Sequence, residues 1–274
     1  MGVVNVTPDS FYPGSRYRSV DEATEAAIRF AEDGADILDI GGESTRPGGE
    51  DVSVADESAR VLPVLENLRA RTEALISIDT RKAAVAESAL RAGADIVNDV
   101  SALEGDPRMA DVVAEARAGV ILMHMQGTPK TMQQSPRYDD VVSEVASFLA
   151  RAAERAESRG IRAESIALDP GIGFGKTVEH NLQLLAGLPK LRGIGKPVVV
   201  GASRKSFIGQ LLSAAPEHRL FGTAASVAAA VLGGAHIVRV HDVREMADVV
   251  RVADAIRAAA PAPPIAVSGE SASS

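Results

Sequence analysis

Short apolar runs alternate with longer amphipathic stretches along this chain, and the alternation keeps a steady period. Three segments repeat one pattern: Gly34-Ala-Asp-Ile-Leu-Asp-Ile40, Gly93-Ala-Asp-Ile-Val-Asn-Asp-Val100 and Gly234-Ala-His-Ile-Val-Arg-Val240. Each follows an amphipathic stretch. Each reads as a glycine that ends a helix, a short turn, and a buried parallel strand. The first two glycines lie 59 residues apart, or two units of about 30. The second and third lie 141 apart, or four units of about 35, the size of a βα repeat. The spacing makes them strands two, four and eight of an eightfold array.

The other strands fall where that array needs them: Gly2 to Val6, Leu75 to Asp79, Val120 to His124, Ser165 to Asp169 and Pro197 to Gly201. Helices are predicted between them. Ser19 and Glu22 form a capping-box signature ahead of an apolar face at Ala23, Ala26, Ala27, Phe30 and Ala31. Further helices are predicted over 52–71, 82–92, 107–117, 138–159, 178–187, 204–213, 222–232 and 243–259. Two polar stretches are long loops, Thr7 to Arg18 and Gly41 to Glu50. The pattern predicts an α/β fold, a single-domain (β/α)8 TIM barrel over residues 1–259. Residues 260–274, rich in Pro, Ala and Ser, are expected to form a disordered tail.

Composition narrows the chemistry. At 274 residues and 46% hydrophobic, the chain can bury a full core. A net charge of -8 argues against nucleic acid or an anionic membrane as partner, so any anion site must be a local basic pocket. No cysteine is present, which excludes thiol catalysis, disulfides and Cys-based zinc sites. Met1 runs directly into an apolar strand without a signal-peptide pattern, and a cytoplasmic location is expected. The stretch Leu220 to Val238 carries no Lys, Arg, Asp or Glu, but Ser226 and Gly233-Gly234 interrupt it. A buried helix followed by a buried strand explains it better than a membrane span.

A barrel of this kind builds its site at the C-terminal strand ends. Those ends carry Asn5, then Thr45 and Arg46 in the second loop, Asp79, Asn98, Met123, Asp169, Ser203 with Lys205, and Arg239 with His241. Asp79, Asn98, Asp169 and Lys205 suit a planar heterocycle: carboxylates accept from ring N–H and amino groups, the amide does both, and the ammonium donates to a ring carbonyl. Met123 and Phe174 supply apolar walls. Asn5, Arg239 and His241 suit a phosphate or pyrophosphate, with Mg²⁺ as companion ion. The stretch Asp169-Pro-Gly-Ile-Gly-Phe-Gly-Lys-Thr177 nearly matches two phosphate-binding motifs and fails both. Pro170 stands where a P-loop needs glycine, and Lys176 where a dinucleotide fingerprint does. Taken alone, it equally suits a plain turn in which Asp169 caps its own backbone.

The motifs Gly2-Val-Val-Asn5-Val-Thr-Pro-Asp-Ser-Phe11, Gly42-Glu-Ser-Thr-Arg46-Pro-Gly, Ser77-Ile-Asp79-Thr, Asn98-Asp-Val-Ser, Asp169 to Thr177, Gly201-Ala-Ser-Arg-Lys205 and Arg239-Val-His241-Asp-Val together resemble the dihydropteroate synthase family. The resemblance runs in order from residue 1 to about 259. It implies condensation of 6-hydroxymethyl-7,8-dihydropterin pyrophosphate with p-aminobenzoate, a Mg²⁺ requirement, sulfonamides as inhibitors, and a homodimer. It implies a pterin site of Asp79, Asn98, Asp169 and Lys205 lined by Met123, Phe174 and Gly201. Pyrophosphate falls to Asn5, Arg239 and His241, with Asn5 also near the metal. The p-aminobenzoate site falls to Phe11, Thr45, Arg46, Pro47 and Ser203. Catalysis falls to Asp79, Asp169, Lys205 and Arg239. One departure is Tyr12-Pro13-Gly14-Ser15, where many members have Ser-Asp-Gly-Gly. Asp9 is then the candidate to take the loop-closing role. Three competing readings are a pterin-binding methyltransferase domain, an aldolase using Lys205 as a Schiff-base nucleophile, and a non-catalytic pterin-binding paralogue.

Overall fold

In the chain's structure, a computed structural model, residues 1–6, 17, 19–44 and 51–259 are described. In chain order the elements are β1 (Gly2–Asn5), α1 (Val20–Glu32), β2 (Ile37–Gly41), α2 (Val54–Arg69), β3 (Leu75–Asp79), α3 (Ala83–Arg91), β4 (Ile96–Asp99), α4 (Met109–Ala116), β5 (Gly119–Met123) and α5 (Val141–Ser158). They continue with β6 (Ile166–Asp169), α6 (Val178–Ala186), α7 (Leu188–Arg192), β7 (Val199–Val200), α8 (Ser206–Leu212), α9 (Leu220–Leu232), β8 (Ile237–Val238) and α10 (Val243–Ala259).

Strands β1 to β6 form one parallel sheet in sequence order, and β7 pairs β8 in parallel. Single bridges join the two pieces into a ring. Leu168 pairs Val198, and Gly2 pairs Val240. The second seam is reinforced by Val3 N–H donating to Val240 O at 3.0 Å and Val240 N–H donating to Met1 O at 2.9 Å. Among the described strands, closure leaves no free sheet edge, the usual reason for a barrel to close.

The three repeat glycines take left-handed backbone, with φ of +101° at Gly34, +105° at Gly93 and +96° at Gly234, which only glycine adopts without strain. Ser19 caps α1, its Oγ accepting from Glu22 N–H at 3.1 Å. The uncharged stretch from Leu220 resolves into α9 and β8, as expected, although Phe221 and Leu232 face outward. Among the described residues, no helix is long and apolar enough to cross a membrane. Two details differ from the sequence reading. Strands β7 and β8 keep only two ladder residues each, and α7 is an additional short helix begun by Pro189 near its N-terminus. Residues 7–16, 18, 45–50 and 260–274 lie outside the described residues, so the expectations for Asp9, Phe11, Pro13, Thr45, Arg46, Pro47 and the C-terminal segment do too.

Most of the core lies between strands and helices, from Val4, Leu38, Ile40, Ile76 and Leu122 to Val61, Leu65, Leu149 and Leu184. A second cluster fills the barrel's interior: Met1, Ile37, Ile121 and Val199, with Ile96, Ala167 and Ile237 packed against them. This apolar layer plugs one end of the barrel. Each fully buried isoleucine in it contributes about 1.5–3 kcal/mol of transfer free energy.

Candidate active site

Strand register decides which side chains face the interior. Parallel neighbours share a side, and side chains alternate along each strand. Ile37, Ile96, Ile121, Ala167, Val199 and Ile237 face inward in the plug. Two residues further along their strands come Asp39, Asn98, Met123, Asp169, Gly201 and Arg239. The pairings Asp39↔Ser77, Asp79↔Asn98, Met123↔Asp169 and Asn5↔Gly41 carry the same parity to the remaining strands. A polar layer therefore sits directly above an apolar one, at the C-terminal end of the strands. Asn98, Asp79, Asp169 and Met123 are buried there.

On the β2–β3 side the layer is rich in acid. Arg239 donates from Nε to Asp39 Oδ2 at 2.6 Å and from Nη2 to Asp79 Oδ2 at 2.8 Å. Asn98 donates from Nδ2 to the same Asp39 oxygen at 3.1 Å. Expected on an anion, Arg239 here neutralises two carboxylates, while Nη1 is used by neither pair. Burial pushes Asp79 up to about 7; Arg239 opposes that rise and Asp39 adds to it. Burial alone would lower Arg239, but Asp39 and Asp79 hold it above its ordinary value. Asp39 Oδ1, Ser77 Oγ and Asp79 Oδ1 are buried and have no hydrogen-bond partner among the described residues. Unpaired acceptors in a polar layer fit a ligand that brings N–H or amino donors.

On the β5–β7 side the layer is rich in base. Asp169 Oδ1 accepts from Gly171 N–H at 2.7 Å, so the carboxylate does cap its own turn. Burial raises Asp169, and Lys205 opposes the rise. Lys205 donates from Nζ to Ile172 O and sits 4.5 Å from the Phe174 ring centroid. Burial lowers Lys205 to about 8 against the pull of Asp169. At Gly201 a Cβ would stand 3.8 Å from Arg239 Cβ and 3.9 Å from Lys205 Nζ, narrowing the space between the two cations.

The glycine-rich turn after β6 is seated on β5. Gly171 has φ +67°, and a Cβ there would meet His124 O at 1.9 Å, so nothing larger fits. Four consecutive carbonyls are each taken by a side-chain donor: Ile172 O by Lys205, Gly173 O by Gln133 at 2.7 Å, Phe174 O by Lys176 at 2.8 Å, and Gly175 O by Tyr138 at 2.9 Å. Thr177 caps α6, its hydroxyl accepting from His180 N–H at 3.2 Å. The apparent phosphate-loop ending Gly175-Lys176-Thr177 is thus a buried lysine beside a helix cap.

The anion residues lie above this layer. His241 and Ser203 are joined, Ser203 Oγ lying 2.9 Å from His241 Nδ1 and accepting from His241 N–H at 3.2 Å. Asn5 ends β1, half-buried beside Gly41 and Asp79. Among the described residues, no group of three or more His, Cys, Asp or Glu could hold a metal. Asn5 offers a single neutral oxygen. That donor fits an ion carried in mainly by phosphate oxygens and water, as is usual for Mg²⁺.

Two residues escaped the sequence reading. Asp39 sits within an apolar strand, Ile37-Leu-Asp-Ile40, and its signal was parity: it is two residues beyond Ile37 and therefore inward. Lys176 was noticed only as part of a failed motif. Arg81 bonds both Glu43, at 3.2 Å, and Asp51, at 2.8 Å, in a charged network among the described residues.

This rim of carboxylates, amide and ammonium over a closed barrel defines a class of enzyme that holds a polar planar heterocycle. The family model described as "Pterin binding enzyme" matches residues 1–241. A dihydropteroate synthase from Escherichia coli is 47% identical over 93% of this chain and 90% of its own length. A Yersinia pestis dihydropteroate synthase, solved with a sulfonamide drug, superposes with a TM-score of 0.91 at 44% identity, covering 94% of each chain. One from Xanthomonas albilineans, solved in complex with 7,8-dihydropteroate, gives 0.84 at 44% identity over 95% of this chain and 93% of its own. The chain belongs to the dihydropteroate synthase family of pterin-binding enzymes.

Proposed function

We propose that the chain condenses 6-hydroxymethyl-7,8-dihydropterin pyrophosphate with p-aminobenzoate, giving 7,8-dihydropteroate and pyrophosphate. The observation that carries this reading is the inward polar layer, with its orphaned Asp39 and Asp79 oxygens and the Lys205 ammonium opposite. An aminopterin ring has N–H donors along one edge and a carbonyl beside them, and this layer is their complement. Asp79, Asn98, Asp169 and Lys205 hold the ring, with Met123, Phe174 and Gly201 as its walls.

The bond from the pterin methylene to the pyrophosphate oxygen breaks, and its electron pair leaves with pyrophosphate. The methylene becomes cation-like, and the carboxylates of Asp79 and Asp169 stabilise that charge through the ring N–H groups. The p-aminobenzoate nitrogen then forms the new C–N bond and sheds a proton. It needs no strong base, because an arylamine is already unprotonated at neutral pH. Arg239 Nη1, which neither carboxylate uses, and His241 receive the leaving pyrophosphate with Asn5. Mg²⁺, when bound by Asn5 and the phosphates, neutralises charge on the leaving group. Phe11, Thr45, Arg46, Pro47 and Ser203 are the residues for p-aminobenzoate, and sulfonamides compete there.

The protein is read as a cytoplasmic homodimer. The support is an outward apolar patch of Leu211 and Leu212 on α8 with Phe221 and Leu232 on α9, where Phe221 is 85% exposed. Light scattering should give a dimer mass that Phe221→Glu reduces; an unchanged mass would exclude this face. The decisive assay supplies both substrates with Mg²⁺ and quantifies pyrophosphate and dihydropteroate. Equal amounts of both, dependent on p-aminobenzoate and suppressed by a sulfonamide, are expected. Pyrophosphate release without dihydropteroate would overturn the reading.

A further inference from the structure

Lys176 is 3% exposed, and all three of its ammonium protons have acceptors: Phe174 O at 2.8 Å, His124 Nδ1 at 3.0 Å and His124 O at 3.4 Å. It therefore ties the residue after β5 to the turn after β6. The turn's other carbonyls are held by Lys205, Gln133 and Tyr138. Of these neighbours, Lys205 depends on the turn twice, through Ile172 O and through the Phe174 ring. A shift of Phe174 would move both supports of that ammonium.

We propose that Lys176 is a positioning residue for the pterin half of the site, fixing the Ile172–Phe174 turn and through it Lys205. The inference rests on the pterin reading given above. Its charge state matters because a neutral amine keeps two donors for three acceptors and loses the attraction of the carbonyls for a cation. Burial first, then Lys205, lowers Lys176 to about 7, while Asp169 opposes the fall. Burial and then Lys176 take His124 down to about 3, so the imidazole stays neutral and Nδ1 stays an acceptor. The titratable groups around the ammonium are His124 just after β5, Asp169 on β6, Lys205 after β7 and Tyr138 before α5, with His180 of α6 against the Tyr138 ring. Of these, Tyr138 is raised out of the working range by burial.

The test compares wild-type protein with Lys176→Met by calorimetric titration of the pterin pyrophosphate with Mg²⁺, from pH 6 to pH 9. Circular dichroism verifies the fold of the variant. Below pH 7 the variant should bind about tenfold more weakly, the scale on which a displaced positioning group acts. The deficit should shrink towards pH 9, because there the wild-type protein has lost the same charge. Lys205 titrates in both proteins, and because the two ammoniums repel each other, losing the Lys176 charge moves it upward in the variant, which narrows the deficit further at high pH. The KM for p-aminobenzoate should stay within about twofold, since this residue serves the other substrate. Equal affinity below pH 7, or a deficit constant across the range, would overturn the proposal, because a packing role alone does not vary with pH. If Lys176→Met does not fold, the His124 ring ¹⁵N resonances of the wild-type protein carry the test. Nδ1 should shift with a midpoint near 7 in the free protein, and pterin pyrophosphate should move that midpoint upward; no such shift would equally overturn it. A wild-type protein that binds no pterin pyrophosphate would overturn the reading of the site first, whereas a variant matching an active wild type overturns only the role of Lys176.

Discussion

On the β2–β3 side of the barrel mouth, Asp39 and Asp79 share one guanidinium. On the β5–β7 side, Lys176 and Lys205 face one carboxylate, Asp169. The two halves hold three acids and three bases between them, yet neither half balances alone. The surplus shows in the titrations: Asp79 rises to about 7, while Lys176 and Lys205 fall to about 7 and about 8. Burial drives all three; Asp39 adds repulsion to Asp79, Lys205 adds it to Lys176, and Arg239 adds it to Lys205. A ligand with donors at one edge and an acceptor at the other relieves both. The polarity proposed to recognise the ring is thus built into the site as unfavourable charge, above the apolar plug.

Breaking the comparison at its scarcest member should cost most. Asp169 is the carboxylate of the base-rich half, and in the proposed complex it takes charge-assisted hydrogen bonds from the pterin ring. Removing one partner of such a buried pair costs about 3–5 kcal/mol. Asp169→Ala should then weaken pterin pyrophosphate binding by roughly two to four decades at about 1.4 kcal/mol per decade. Isothermal calorimetry on the folded variant checks this, and near-normal affinity would dissolve the two-halves picture.

A milder result is expected from the acid-rich half, which has a carboxylate in reserve. Asn at position 39 can still accept from Arg239 and Asn98 while carrying no charge. Asp39→Asn should cost about one decade in affinity, the lower end of a single charge-assisted hydrogen bond. It should also lower the pKa of Asp79, because Asp39 is one of the causes raising it. The acidic limb of the kcat/KM profile should accordingly move to lower pH. A limb that stays in place would show that the two carboxylates do not sense each other.

The smallest effect is on stability. Lys176 falls from 10.5 to about 7 on folding, so between those values the unfolded chain binds more protons than the folded one. The contribution of this group to stability therefore rises with pH across that window and is lost as pH falls towards 7. Wild type should gain on Lys176→Met between pH 7 and pH 9, by about 2–4 °C in melting temperature for each kcal/mol of linkage. Scanning calorimetry at the two pH values checks it; a constant difference would mean that the ammonium is not destabilised by burial.

The barrel was readable because its signals are local and repeated. Gly34, Gly93 and Gly234 mark helix ends by a backbone angle that other residues avoid, and the apolar runs behind them mark strands. Asp79, Asn98, Asp169 and Arg239 were readable as polar ends of apolar strands. Asp39 was not, because it is interior to its strand and its facing depends on register with Ser77 and Val3, which no local window contains. Lys176 was obscured for a related reason. Its neighbours suggest a phosphate loop, and only the approach of His124, 52 positions away, reveals a buried cross-link. The pairing of Arg239 with Asp39, across 200 positions, is likewise a property of the closed ring alone.

That closure has a consequence for how the chain is made. Strand β1 finds β2 soon after it leaves the ribosome, but its other neighbour comes last, and the Met1 ammonium bonds Val238 O across 237 positions. At roughly 5–20 residues per second, synthesis leaves that flank waiting for roughly 10–50 seconds. Throughout, the backbone N–H and C=O groups of β1 on that side present an open edge, the kind that recruits strands from other chains. The seam at Gly2 and Val240 is therefore the last stave to be set. A chain arrested before α9 would carry Asp39, Asp79, Asn98, Asp169 and Lys205 but lack both Arg239 and the strand that makes them a single cup.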